Sequence, residues 1–302
     1  MKVYAVIVIY NGLKWIDKCL GSLLSSQTGV ELIVIDNGST DGSIDKIEKD
    51  YAQSVRFIKS GANLGFGKAN NIGMQIALEE GADYVFLLNQ DAWVEPDTIG
   101  KLVDVAGRNN RYGIVSPVHL NGSYSGLDYN FSLNITPEKC PGFYSDTFVG
   151  KHADIYPLEF VNAAAWLMSR ACLQKTGLFN PAFFFYGEDN NYLQRVKFYG
   201  FGIGITPACT ICHDREQRKG KLNFKSLKLK ERTQSLIILL NINSSFPRAI
   251  LSFMKERLSG IFRSIFKKEV RMAGYHFGEI VFLLTHGRML SRNRQAYSRP
   301  FA

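Results

Sequence analysis

The sequence predicts an α/β fold, a largely parallel sheet flanked by helices, followed by a basic α-helical C-terminal extension. Three observations predict it. Apolar runs of strand length alternate with stretches of helical spacing through about the first hundred residues. Those runs stop abruptly in polar clusters, as strands do at the edge where open α/β sheets bind ligands. The charge then changes sign: Met1–Asp214 carries 17 Lys and Arg against 22 Asp and Glu, whereas Arg215–Ala302 carries 19 against 5. The expected division is therefore an α/β region at 1–214 and a basic helical extension at 215–302.

Val3–Ile9 reads as a buried first strand, because Asn11-Gly12 ends its apolar run too early for a signal peptide. Leu13–Ser25 carries helical spacing in Ile16, Leu20, Leu23 and Leu24, and Val30–Ile35 is a second strand running into Asp36. Ser43–Ala52 is a helix and Val55–Lys59 a third strand; Lys68–Glu80 is the next helix and Ala82–Leu88 the next strand. Pro96 can open a further helix through about Ala106. Segment 121–151, rich in Gly, Ser, Asn and Tyr, reads as irregular loops and short strands, and Phe201–Thr206 as another strand. Helical crossovers of this length imply right-handed connections and parallel pairing. The chain is 46% hydrophobic, ample for a core, and no segment offers the roughly 20 apolar residues of a spanning helix. The expected location is the cytoplasm.

Five cysteines (Cys19, Cys140, Cys172, Cys209, Cys212) are odd in number and scattered, unlike a disulfide framework. Cys209-Thr210-Ile211-Cys212-His213 spells a haem-attachment string, but it lacks an export context and further zinc ligands. Cys209 and Cys212 are expected as small apolar fillers in or beside a strand.

Tyr10-Asn11, Asp36-Asn37-Gly38-Ser39 and Asn89-Gln90-Asp91 all follow strands, so a parallel sheet brings them to one edge. A carboxylate there, Asp91, can hold a divalent cation, and the cation a diphosphate. Asp36 can accept from a nucleobase imide or a ribose hydroxyl, or can simply cap its turn. Asn63-Leu64-Gly65-Phe66-Gly67-Lys68 opens a helix with phosphate-cradle chemistry, with backbone freedom at Gly65 and a charge at Lys68. In Phe183-Phe184-Phe185-Tyr186-Gly187-Glu188-Asp189, an aromatic wall precedes two carboxylates. Water exclusion would raise their basicity for proton transfer; equally, acids favour a helix N-terminus.

VIVIYN, VIDNGSTDGS, NLGFGKANNIG, YVFLLNQDAWVEPD and FNPAFFFYGEDNNYLQR, followed by His213, occur in the order found in family-two glycosyltransferases, and the chain most resembles their rhamnosyltransferase-like group. The resemblance spans about residues 3 to 214. It implies a GT-A (Rossmann-like) fold, a dTDP- or UDP-sugar donor, Mg²⁺ or Mn²⁺, and inversion at the anomeric carbon. Position by position it implies Asp36 at the base, with Tyr10, Asn11, Asn37, Ser39, Asn63, Gly65 and Lys68 around the donor. Asn89, Gln90 and Asp91 match the DxD motif, His213 a second metal ligand, and Glu188-Asp189 the ED motif with Asp189 as base. Asn89 replaces the first aspartate of DxD, moving the metal burden to Asp91 and His213. Asn191 stands where that group often has another aspartate.

The implied activity is hexose transfer to a growing, lipid-linked bacterial surface glycan. A sugar-1-phosphate nucleotidyltransferase would want a glycine-rich, arginine-bearing loop where Tyr10-Asn11-Gly12-Leu13 stands. A non-catalytic nucleotide-sugar-binding protein is the third alternative. In the extension, Leu251, Phe253, Met254, Leu258, Ile261, Phe262, Ile265 and Phe266 recur at helical spacing among Arg and Lys. This suits an anionic membrane surface, at the cytoplasmic face of the inner membrane, or equally packing on the catalytic region or in a homodimer. No nucleic-acid-binding module is recognisable.

Overall fold

Each apolar run of the first ninety or so residues becomes a strand of one sheet. The computed structural model describes residues 1–184, 186–215 and 224–301. In chain order the elements are β1 (Val3–Ile9), α1 (Ile16–Leu24), β2 (Glu31–Asp36), α2 (Ser43–Asp50), β3 (Arg56–Lys59), α3 (Phe66–Glu79) and β4 (Tyr84–Asn89). Then come β5 (Ala92–Val94), α4 (Thr98–Arg108), β6 (Tyr112–Asn121), α5 (Tyr129–Ser132), α6 (Phe143–Val149), β7 (Tyr156–Pro157), β8 (Ala165–Ser169) and α7 (Arg170–Thr176). The chain continues through α8 (Glu188–Phe198), β9 (Gly202–His213), α9 (Phe224–Leu239), α10 (Phe246–Phe266) and α11 (Val270–Tyr297).

The sheet runs β3-β2-β1-β4-β8-β6-β9-β5, with β7 also on β9. It is parallel from β3 to β4 and again between β6 and β9; β8, β5 and β7 pair antiparallel. Register sets Ile9 beside Asp36 and Val8 beside Asn89, so three polar strand ends share one edge. Side chains alternate along each strand. Tyr4, Val6, Ile33, Ile35, Val85 and Leu87 join the core under α3 and α8. Ala5, Ile7, Ile9, Val34, Phe86 and Leu88 join the one under α1 and α4. Helices therefore cover both faces, as continuous apolar strands require.

Several features differ from the sequence reading, among them the short strands β5 and β7 and the helix α7. β6 was not anticipated, because Gly113 and Pro117 break its apolar run; the proline sits at a register shift, where a strand tolerates it. β9 continues past Thr206 to His213, skipping over Pro207 in the same irregularity. Segment 121–151 holds the short helices α5 and α6 rather than strands. The cysteines behave as fillers: Cys209 and Cys212 are buried in β9, and burial pushes the Cys209 thiol up to about 12.

The last three helices pack on one another around Leu239, Leu240, Phe253, Leu283 and Leu290, with Phe183 reaching in from the loop before α8. Full burial of Phe253 contributes about 2–3 kcal/mol. The buried Glu279 lies 2.7 Å from Arg232 Nη2 and the buried Arg257 Nη1 2.7 Å from Glu231, while the buried Arg294 donates to the Leu239 carbonyl (2.9 Å). This bundle also braces α8. Asn191 Nδ2 donates to the Leu240 carbonyl (3.4 Å), Tyr199 Oη to that of Tyr297 (3.0 Å), and Arg195 stacks over the Tyr297 ring. One face of the extension thus takes the packing role. Among the described residues, no helix is long and apolar enough to cross a membrane.

Candidate active site

The donor-side residues lie at the carboxyl edge of β1, β2 and β4, and they are held mainly by one another. Asp36 is buried, and its carboxylate accepts from the backbone N–H groups of Gly38 (3.0 Å) and Ser39 (3.2 Å). The turn-capping role is therefore present, whatever else the carboxylate meets. Asn37 accepts from Leu64 N (2.8 Å) and donates to Asn63 Oδ1 (3.2 Å), tying the β2 loop to the loop before α3. Asn63 Oδ1 also accepts from Gly65 N (2.9 Å). Asn11, in the left-handed region at φ 49°, donates its N–H to Ser39 Oγ (3.0 Å) and accepts from Thr40 N (2.8 Å). Gln90 exchanges two bonds with Tyr10: Oε1 accepts from Tyr10 N (2.7 Å) and Nε2 donates to its carbonyl (3.1 Å). The Tyr10 ring remains exposed.

The loop before α3 meets the acidic pair. Gly65 has φ 81°, and a Cβ there would fall 2.2 Å from the Phe184 carbonyl oxygen, so both its conformation and its neighbour demand glycine. A Cβ on Gly67 would lie 3.6 Å from that of Glu188. Lys68 is exposed on the same first turn of α3, with no acidic partner among the described residues. Phe183 is buried and Phe184 exposed, while Phe185 falls outside the described residues. Gly187, at φ 87°, starts α8 against Thr233 of α9.

Glu188 and Asp189 occupy the first turn of α8, where the helix dipole favours acids. Glu188 is buried with Oε2 unpartnered; burial, and then the neighbouring Asp189 charge, push its carboxyl up to about 7. Burial also raises Asp189, against the hydrogen bonds of Asn190 and the charge of Arg215. Asp189 Oδ1 accepts from Asn190 N (2.7 Å) and Nδ2 (3.2 Å), which leaves Oδ2 available. Asn191 faces the bundle instead of the pair.

A second group forms where the turn between β4 and β5 meets the end of β9. Asp91 accepts from Asp214 N through its carbonyl (2.8 Å), and its side chain lies 3.4 Å from His213 Nε2. On the other side of the buried His213 ring, Nδ1 lies 3.5 Å from Asp128 Oδ2. Neither ring nitrogen makes a well-formed hydrogen bond. Burial opposes charge on this ring, but the Asp128 and Asp91 carboxylates outweigh it and raise it to about 9. Asp128 is also the N-cap of α5, accepting from Phe131 N (2.7 Å). Its neighbour His119, stacked on Phe131, is driven by burial and then by the His213 charge down to about 3.

A Mg²⁺ or Mn²⁺ ion bound partly by substrate phosphates needs only one or two protein side chains. Asp91 fits that demand with an oxygen, and His213 Nε2 could add a nitrogen once it gives up the proton that the Asp91 and Asp128 carboxylates favour. Among the described residues, no larger cluster of His, Cys, Asp and Glu is arranged for a metal. Asn89, two residues before Asp91, ends β4 and is half-buried. Sequence reasoning missed two residues here. Asp128 lies in the segment read as irregular, and its role as the cap of α5 emerges only in the structure. Arg215, exposed two residues after His213, acts electrostatically on both Asp189 and His119.

A low-salt glycan biosynthesis hexosyltransferase of Haloferax volcanii is 25% identical, over 90% of this chain and 87% of that one. An N-acetylglucosaminyl-diphospho-decaprenol L-rhamnosyltransferase of Mycobacterium tuberculosis is 25% identical, over 72% of this chain and 77% of that one. Among solved structures, GalNAc-T7 with UDP, GalNAc and Mn²⁺ shares the GT-A fold at a TM-score of 0.60 and 17% identity, covering 78% of this chain and 48% of that one. The profile of Glycosyl transferase family 2 matches residues 4–177. With that match spanning more than half its length, the chain belongs to the family-two glycosyltransferases, enzymes of the GT-A fold whose relatives here build glycans.

Proposed function

We propose that the chain is an inverting hexosyltransferase. It moves a rhamnose-like or other hexose from a dTDP- or UDP-sugar to a hydroxyl of a lipid-linked bacterial surface glycan, at the cytoplasmic face of the membrane. Residues 1–214 hold the donor and catalytic groups; 215–302 form the extension. The observation that carries the reading is the Glu188–Asp189 pair at the start of α8, with Glu188 buried against the loop that would cradle the donor diphosphate and Asp189 half-buried beside it.

Asp189 is the base. Burial raises its affinity for a proton, and Oδ2 is the oxygen left to take one from the acceptor hydroxyl. The acceptor oxygen then attacks the anomeric carbon from the face opposite the leaving diphosphate, and the configuration inverts. With its carboxyl pushed up to about 7, Glu188 is only partly ionised at neutral pH, which limits like-charge repulsion beside the base. Backbone N–H groups at the start of α3, Lys68 and Arg215 meet the charge that develops on the diphosphate. When bound by Asp91 and His213, Mg²⁺ or Mn²⁺ supplies further neutralisation of that charge. Tyr10, Asn11, Asp36, Asn37, Ser39, Asn63, Gly65, Asn89 and Gln90 shape the nucleotide side.

A thermal-shift screen of dTDP- and UDP-sugars, with and without Mn²⁺, identifies the donor. Donor hydrolysis, readable without the acceptor, then separates an enzyme from a binding protein. Asp189→Asn is expected to lower turnover by about 10²–10⁴-fold with donor affinity nearly unchanged. Wild-type turnover in that variant contradicts the assignment.

A further inference from the structure

The extension carries two opposite faces on one helix. α10 buries Ala249, Phe253, Arg257, Gly260 and Ser264 against its neighbours. Seven-residue and four-residue steps then place Leu251, Leu258, Phe262, Ile265 and Phe266 on the opposite side. They are strongly exposed: Leu251 71%, Phe262 63% and Phe266 88%. Helix packing therefore accounts for one face and leaves an apolar stripe uncovered.

The stripe is bordered by cations. A shallow groove of about 860 Å³ runs beside it, rimmed by Lys255, Arg263 and Lys267 with Phe262 and Phe266. Its one acid, Glu256, is already paired with Arg257 at 2.8 Å. Lys255, Arg263 and Lys267 have no acidic partner among the described residues. From Phe246 to Arg271 there are seven basic residues against two acidic ones.

We propose that this face of α10 docks flat on an anionic lipid bilayer, with its apolar stripe at the acyl boundary and its cations among the headgroups. Charge decides among the occupants. A second copy would bring one basic stripe against another, and nucleic acid has nothing to offer exposed Phe, Ile and Leu. An anionic bilayer takes both chemistries at once. The acidic balance of Met1–Asp214 adds directionality, since only the extension is attracted. The contact deepens the lipid-linked acceptor reading, on which it rests for its purpose but not for its geometry.

The test is sedimentation of the whole chain with mixed phosphatidylglycerol–phosphatidylcholine vesicles and with phosphatidylcholine alone. Binding is expected to be at least about tenfold stronger to the anionic vesicles and to weaken with salt. Phe262→Ser with Phe266→Ser, and separately Lys255→Gln with Arg263→Gln and Lys267→Gln, should each lower it about tenfold or more. These side chains are on the surface, so melting temperature serves as the control for folding. Equal binding to both vesicle types, no binding, or binding unmoved by both variants overturns the proposal. So does a dimer in sedimentation velocity that the Phe substitutions dissolve. Donor hydrolysis without vesicles is read on the same preparations: hydrolysis with no vesicle binding sinks this inference and spares the transferase, and the reverse spares the docking face.

Discussion

The two corners of the candidate site are built on opposite principles. On the donor side, Asp36, Asn37, Asn11, Asn63 and Gln90 satisfy one another or nearby backbone, so the loops after β1, β2 and β4 are locked before anything binds. On the acid and histidine side, Glu188 Oε2 and both nitrogens of His213 are buried without hydrogen-bond partners. Buried polar groups left unsatisfied destabilise a fold, and they concentrate where a ligand or a reaction will use them. One corner thus contributes stability and shape, while the other holds chemistry at the expense of stability.

Substitutions should separate the corners. The largest effect, the loss of turnover in Asp189→Asn, belongs to the reactive one. Next is the pH dependence of Glu188. Its folded value of about 7 stands above the ordinary 4.5, so the folded chain keeps a proton that the unfolded chain releases. Stability from this group is full below about 4.5 and is lost as pH rises to about 7, by at most about 3 kcal/mol. Glu188→Gln should therefore flatten the melting temperature over that window; an unchanged pH slope would contradict the burial argument. Asp128→Asn keeps an N-cap but removes the charge facing His213. Mn²⁺ affinity in the presence of UDP, read by electron paramagnetic resonance, should fall about 10–100-fold. Smallest is Asn37→Ala, which strands the Leu64 N–H and should cost about 1–3 kcal/mol of stability by denaturant titration.

The same contrast governs what could be read in the sequence. Strand ends were legible because a two-face-buried strand is one apolar run, and Tyr84–Leu88 stops at Asn89 without a gradient. Parallel register then carries Asp36 and Asn89 to one edge without further information. β6 was not legible, since Pro117 breaks its run and its pairing with β8 and β9, distant in sequence, makes it a strand. Asp128 lies 85 residues before His213 and meets it through tertiary packing, which no local spacing encodes. Arg215 was visible as a charge and not as a neighbour of Asp189. The amphipathic tail showed its two characters from spacing alone, but only the structure sorted them onto the two faces of α10.

Paired measurement of turnover and melting temperature for Asp189→Asn and Asn37→Ala tests the central contrast most directly. Asp189→Asn should lose turnover by about 10²–10⁴-fold while melting at or above the wild-type temperature, since a buried charge is removed. Asn37→Ala should melt lower and keep turnover once donor is saturating. Turnover retained by Asp189→Asn, or a lowered melting temperature in that variant with none in Asn37→Ala, would contradict the account.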